Sequence, residues 1–158
     1  MSQKDKNIKE ISLKNINKLM LCTGLFIFGC SGTIPNNLGV KDGNLASCPD
    51  KPNCVSSQAK DKKHLIDPLP WQGSPESSLT EIIKIIENMP RTKIIKQENC
   101  YLYVEFKSAL MGFVDDVEFF ADNKAQIIHV RSASRLGYSD LGVNRKRIES
   151  IRSKMDRL

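Results

Sequence analysis

The sequence predicts an α+β domain: an antiparallel β-meander of about four strands packed with two helices. Three observations carry that reading. Leu79, Ile82, Ile83, Ile86 and Met89 recur at helical spacing. Between Thr92 and Ala133 the chain alternates apolar and polar residues in short runs broken by turn residues. After that, Ile148, Ile151 and Met155 return to helical spacing.

The chain begins with a leader. Residues 1–29 carry five lysines against two acids and end in an apolar run, Leu19 to Gly29, of eleven residues. Such a run is too short to cross a bilayer as a helix and has the length and basic flank of a signal-peptide core. It closes on Ile27-Phe28-Gly29-Cys30, which resembles a bacterial lipobox. The small Gly29 suits cleavage, and the Cys30 thiol is the expected acceptor of diacylglycerol. A membrane partner through this lipid anchor, and a cell-envelope location, are therefore expected. Ser31 follows Cys30, which in a Gram-negative source points to the outer membrane, facing the periplasm. Residues 30–46 read as the lipidated cysteine and a flexible tether rich in Gly and Asn. Residues 47–158 read as one globular domain.

That domain opens on CPDKPNCVSSQA. In an exported protein, Cys48 and Cys54 are expected to form a disulfide. A zinc site would need further ligands at matched spacing, and the sequence offers none. Cys100 is left over and reads as a small buried hydrophobe. His64 to Trp71 is extended and broken by prolines, as an edge strand or a strap would be. Ser74-Pro75-Glu76 opens the first helix, and Pro90 stops it. Strands are expected over Thr92–Lys96, Tyr101–Ser108, Phe113–Ala121 and Gln126–Ala133, with turns at Glu98-Asn99 and Asp122-Asn123-Lys124. The last helix is expected over Arg145–Met155 with Asn144 as its N-cap.

Alternation sorts the strand side chains. Leu102, Val104 and Phe106 share the core face; Glu105, Asp116, Glu118, His129 and Arg131 are expected on the opposite face. Asp115 falls on the apolar side and needs a partner there.

The segments CPDKPNCVSSQA, DPLPW, EFKSALMGFVDDVEF and IHVRSASRLGYSDLGVNRKRIE together resemble the domain-of-unknown-function family number 1499. The resemblance covers about Ser47 to Arg152, and the long irregular string from Arg131 to Arg145 makes it specific. It implies a bacterial or plastid protein, often exported, with no activity to transfer and no catalytic residue to carry over. The lipobox belongs to this sequence and not to the family pattern.

Function is read from the charged residues. No nucleophile elbow, phosphate loop, dinucleotide fingerprint or zinc-protease helix is present. No cofactor and no metal are expected. Arg131 to Leu158 holds eight basic and three acidic residues, but no aromatic stacking platform accompanies them, so no nucleic-acid partner is expected. The residues of interest are Asp115, Asp116, Glu118, His129, Arg131, Ser132, Ser134, Arg135, Asp140, Asn144 and Arg145. They admit three readings. In the first, favoured here, Arg131, Arg135 and Arg145 clamp Asp115, Asp116, Glu118 and Asp140 in a structural network. In the second, the arginines, Ser132 and Ser134 surround the N-terminus of the last helix and bind an anionic small molecule or lipid headgroup. In the third, an envelope hydrolase works with the Asp, His, Ser and Arg side chains. The chain is expected to bind or scaffold and not to catalyse.

Overall fold

A computed structural model describes residues 31–71 and 73–157. The leader and Cys30 lie outside the described residues. Strand β1 spans Cys54–Ser56. Helix α1 spans Pro75–Glu87, and strands β2 (Thr92–Glu98), β3 (Tyr101–Lys107), β4 (Val114–Asp122) and β5 (Ile127–Ser134) follow before helix α2, Val143–Met155. The fold is α+β, a five-stranded antiparallel sheet in the order β1-β5-β4-β3-β2 with two helices. The meander from β2 to β5 follows the alternating runs. The fifth strand, β1, arises from the cysteine loop, where three residues are too few to show a period.

Strand β1 and the segment after it cover the β5 edge. Val55 pairs with Ser132, Ser57 N–H donates to Val130 O (2.9 Å), and Leu69 exchanges hydrogen bonds with Ile128 (2.9 and 3.1 Å). The proline-broken segment is thus a strap held by bridges, as its missing N–H groups require. At the other edge, β2 exposes Lys93 and Lys96 and carries a register shift between Ile94 and Lys96, both of which discourage pairing with another chain.

Both helices pack on one face of the sheet. Helix α1 begins at Ser74, whose side chain accepts from Ser77 N–H while the Ser77 hydroxyl accepts from Ser74 N–H. It buries Leu79, Ile82, Ile85 and Ile86. Helix α2 buries Ile148, Ile151 and Met155. These meet Leu102, Val104, Val117, Phe119, Ile128 and Val130 in the main core. Among the described residues, no helix is long and apolar enough to cross a membrane.

Two expectations need correcting. The residue that caps α2 is Gly142, in the left-handed region at φ 78°, and Asn144 lies inside the first turn with its side chain fully buried. In addition, part of the expected tether belongs to the domain. Leu45 is buried against Tyr101 and Tyr103, with Leu38 beside it, on the sheet face opposite the helices. Gln58 fixes this segment by accepting from Leu45 N–H (2.8 Å) and donating to Gly43 O (2.9 Å).

Candidate functional site

The pleat divides the charged residues between the two faces of the sheet. On the face away from the helices, Glu105 pairs with Asp116, Tyr103 with Glu118 and Glu118 with Arg131 across the strands. His129 lies opposite Phe120 on that same face. Asp115, Ser132 and Ser134 point to the helix face. One residue of offset is enough to separate Asp115 from Asp116, because side chains alternate along a strand.

Arg135 organises the first face. It leaves β5 just past Ser134 and turns its guanidinium back over the sheet. Its Nε donates to Asp116 Oδ1 and Oδ2 (3.1 and 3.0 Å), and Nη2 donates to Asp116 Oδ1 (2.7 Å), to Tyr103 OH (2.9 Å) and to Glu105 Oε1. Tyr103 OH donates in turn to Asp116 Oδ1 (2.6 Å). The Arg135 side chain is only 4% exposed and that of Asp116 only 1%. The carboxylate of Asp116 holds the guanidinium well above its ordinary pKa. Burial, and then the hydrogen bond to Asp116, push the Tyr103 phenol up, so it remains a donor.

A second cluster sits two residues along. Glu118 is fully buried and accepts from Gly39 N–H (2.7 Å), Tyr101 OH (2.8 Å) and Arg131 Nη1 (3.2 Å). Burial raises the Tyr101 phenol, with the Glu118 charge adding to it. Arg131 Nε has no hydrogen-bond partner. The segment expected to be a tether thus supplies a main-chain donor to a buried carboxylate, which ties it to the sheet.

On the helix face the clamp is Arg147 and not Arg145. Arg147 Nη2 donates to Asp115 Oδ2 (2.5 Å), and Nη1 donates to Ser132 Oγ (2.9 Å) and Asn144 Oδ1. Its guanidinium carbon stands 4.7 Å from the Phe106 ring centroid. Asn144 accepts from Ser132 Oγ (2.6 Å) and donates to Ser134 Oγ (3.1 Å) and Asn53 O (3.0 Å). It therefore joins α2, β5 and the cysteine loop. Arg145 instead donates to Lys63 O (3.1 Å) at the surface. The signal for Arg147 was present: Asn144, Arg147, Ile148, Ile151 and Met155 fall on one helical stripe, and Asp115 needed a cation on that side.

The N-terminus of α2, where the second of the three readings would place an anionic ligand, carries its own anion. Asp140 Oδ1 accepts from Gly142 N–H (2.9 Å), and Oδ2 accepts from Asn144 N–H (2.7 Å). A carboxylate there satisfies two of the orphan donors and opposes the helix dipole.

Ser132 and His129 lie on opposite faces and do not meet. His129 faces a serine that the sequence did not single out. Its Nδ1 is 3.1 Å from Ser57 Oγ, and its Nε2 is 3.8 Å from Asp122 Oδ2. This resembles a nucleophile, base and acid, but the parts are engaged elsewhere. Ser57 Oγ accepts from Val130 N–H (2.9 Å), and Ser57 N–H donates to Val130 O (2.9 Å), so neither amide is left to stabilise an oxyanion. The gap from His129 to Asp122 exceeds hydrogen-bond length. Burial lowers the His129 pKa, and the Asp122 charge only partly opposes this. Asp122 spends Oδ1 on Lys124 N–H (2.8 Å) and Ala125 N–H (3.2 Å), and these bonds hold its carboxyl below the ordinary range. Among the described residues, no group of three or more His, Cys, Asp or Glu side chains is placed to hold a metal ion.

The disulfide expected from sequence joins Cys48 and Cys54, with their Cα atoms 5.7 Å apart. It closes the loop whose Asn53 carbonyl accepts from Ser134 N–H (2.9 Å) and from Asn144. His64 pins the same loop from behind: Nε2 lies 3.0 Å from Lys51 O and Nδ1 lies 2.9 Å from the Asp61 carboxylate.

No curated protein and no solved structure matches this chain. A family model described as a protein of unknown function (DUF1499) matches residues 44–155. That span runs from the segment beneath Leu45 through the disulfide loop and both polar networks to the end of α2, and the chain belongs to the DUF1499 family.

Proposed function

We propose that this is a lipid-anchored cell-envelope domain that binds or scaffolds and does not catalyse. One observation carries the non-catalytic reading: the arginines and carboxylates of the sheet neutralise each other inside the fold. Arg135 is paired with Asp116 and Glu105 and also donates to Tyr103; Arg131 is paired with Glu118, and Arg147 with Asp115. A general base needs a free lone pair within reach of substrate, and a substrate anion needs an unclaimed donor. The carboxylates are paired with arginines, and the unclaimed donor Arg131 Nε is buried inside the fold. Their role is to hold β3, β4, β5, α2 and the covering segment in one arrangement. The anchored, exported reading draws its support from the leader, the Gly29-Cys30 junction and the Cys48–Cys54 disulfide, which suits an oxidising compartment.

The test is mass spectrometry of the mature chain from membranes, combined with fluorophosphonate labelling of active serines. The expected N-terminal peptide begins at a diacylglyceryl-modified Cys30, and no serine is labelled. A Cys30→Ser chain that still incorporates labelled palmitate would remove the anchor. Fluorophosphonate on Ser57 or Ser132 would replace the scaffold reading with a hydrolase.

A further inference from the structure

We propose that the end of the domain formed by the β3–β4 turn and the β5–α2 loop is a membrane-docking face, seated on the anionic bilayer surface that carries the anchor. The inference rests on the lipid-anchor reading and adds which face of the domain meets the lipid.

Apolar exposure is concentrated at this end. Eleven large hydrophobic residues are exposed among those described, and seven of them lie in these two segments. The β3–β4 turn displays Leu110 (87% exposed), Met111 and Phe113. The β5–α2 loop and first helical turn display Leu136, Tyr138, Leu141 (86% exposed) and Val143. The two segments are neighbours. Arg135 N–H donates to Val114 O (3.1 Å), and one cavity is lined by both Ser108–Ala109 and Val143. Apolar surface gathered into one patch marks a contact site, whereas scattered single residues do not.

Leu141 shows that the display is built in. It holds a left-handed backbone (φ 54°), a conformation that is strained for a residue with a side chain. Ser139 Oγ accepts from Leu141 N–H (3.2 Å), and Asp140 accepts from the next amide. The fold holds this leucine outward and recovers no burial from it.

The occupant follows from the anchor and from charge. The chain just after Cys30 arrives at this same end. A Cβ on Gly32 would stand 3.1 Å from Arg135 Cβ and 3.2 Å from Leu136 Cγ. Ser31 lines a cavity with Arg91, Lys107 and Arg135. A lipid on Cys30 would therefore enter the bilayer beside these loops. Exposed Arg91, Lys93, Lys107 and Lys146 surround them. Of the acids within, Glu105 and Asp115 are paired with arginines, and Asp140 is half-buried with its carboxylate turned onto the Gly142 and Asn144 amides at the start of α2. An apolar centre with a tyrosine and a basic rim matches the headgroup boundary of an anionic membrane. The two acyl chains of a diacylglyceryl anchor already hold the chain at the bilayer; a basic apolar face then sets which side of the domain meets it. The opposite end of the sheet is the polar turn Asp122-Asn123-Lys124, about 30 Å away along β4.

The test places tryptophans on the full chain in vesicles of phosphatidylethanolamine and phosphatidylglycerol with brominated acyl chains. Leu110→Trp and Tyr138→Trp probe the face, Lys124→Trp probes the far end, and each is read as a difference from the parent, whose one tryptophan is Trp71. Palmitate incorporation is followed in the same preparations. The two face positions are expected to lose about half of their added emission to bromolipid, and Lys124→Trp almost none. Equal quenching at all three, or none at any, overturns the docking face; palmitate incorporation in that case shows the anchor standing without it. A blue shift at Leu110→Trp and Tyr138→Trp that is the same without vesicles also overturns it, because protein then covers the face. Quenching at the face without palmitate keeps the docking face and removes the lipid anchor.

Discussion

Asp115 and Asp116 are consecutive in β4, yet each is held by a different arginine on a different face of the sheet: Asp115 by Arg147 of α2 and Asp116 by Arg135 of the loop after β5. The pair therefore works as two clamps back to back. One holds the last helix to the sheet; the other holds the exit of β5 over β3 and β4. A reaction centre would need such groups to converge, and these diverge.

The helix-face clamp has a measurable coupling. Both partners are nearly buried, at 9% and 12% side-chain exposure, so solvent screens them little. Asp115→Asn, Arg147→Met and the double variant should show a coupling energy of about 1–3 kcal/mol in chemical denaturation. Additive losses would show that Arg147 stabilises α2 only through Phe106 and Asn144.

The disulfide should appear in non-reducing peptide maps as a Cys48–Cys54 pair. Its loop is short, so replacing both cysteines by serine should cost about 2 kcal/mol on the loop-entropy model. Because Asn53 connects this loop to Ser134 and Asn144, the loss should be accompanied by faster amide exchange at Ser134. Alkylation of both thiols in native, unreduced protein would contradict the pairing.

His129 predicts a pH dependence. Burial favours its neutral form in the folded state, so its pKa lies below the ordinary 6.5. As pH falls through 6.5 the unfolded chain takes up a proton that the folded chain refuses, and stability declines. Above that window both states are neutral and His129 contributes no slope. The Asp122 carboxyl titrates below 3.8, so its loss falls in a separate, more acidic window. Denaturation midpoints should therefore drop between pH 7 and 5 in the parent and change less in His129→Gln. Identical slopes in the two proteins would rule this out.

Much of the fold was legible because its periods are long enough to read. Seven residues of alternation in β3 and nine in β4 set the faces, and the cross-strand register then groups Glu105, Asp116, Glu118, His129 and Arg131 as alternation requires. What escaped was what depends on distant chain. Strand β1 has three residues and no period, and its pairing comes from the exposed edge of β5. The Gly39 amide reaches Glu118 across 79 positions, which no local pattern signals. Asn144 reads as a cap because asparagine before a helical run usually is one; Gly142 and Asp140 take that task and free the Asn144 side chain for the core. Ser57 lies in a serine pair after the cysteine loop, with nothing local to connect it to His129.

The central claim is that the charged cluster is structural, and Arg135 tests it most directly. Thermal unfolding of the parent and of Arg135→Ala, each with and without phosphate or phosphatidylglycerol, separates a clamp from a ligand donor. Removing the clamp leaves the Asp116 carboxylate buried with Tyr103 as its one remaining donor, which should cost roughly 3–5 kcal/mol and lower the melting temperature clearly, with or without anion. An unchanged melting temperature, together with loss of an anion-induced stabilisation seen in the parent, would show that Arg135 faces a ligand and would contradict the account.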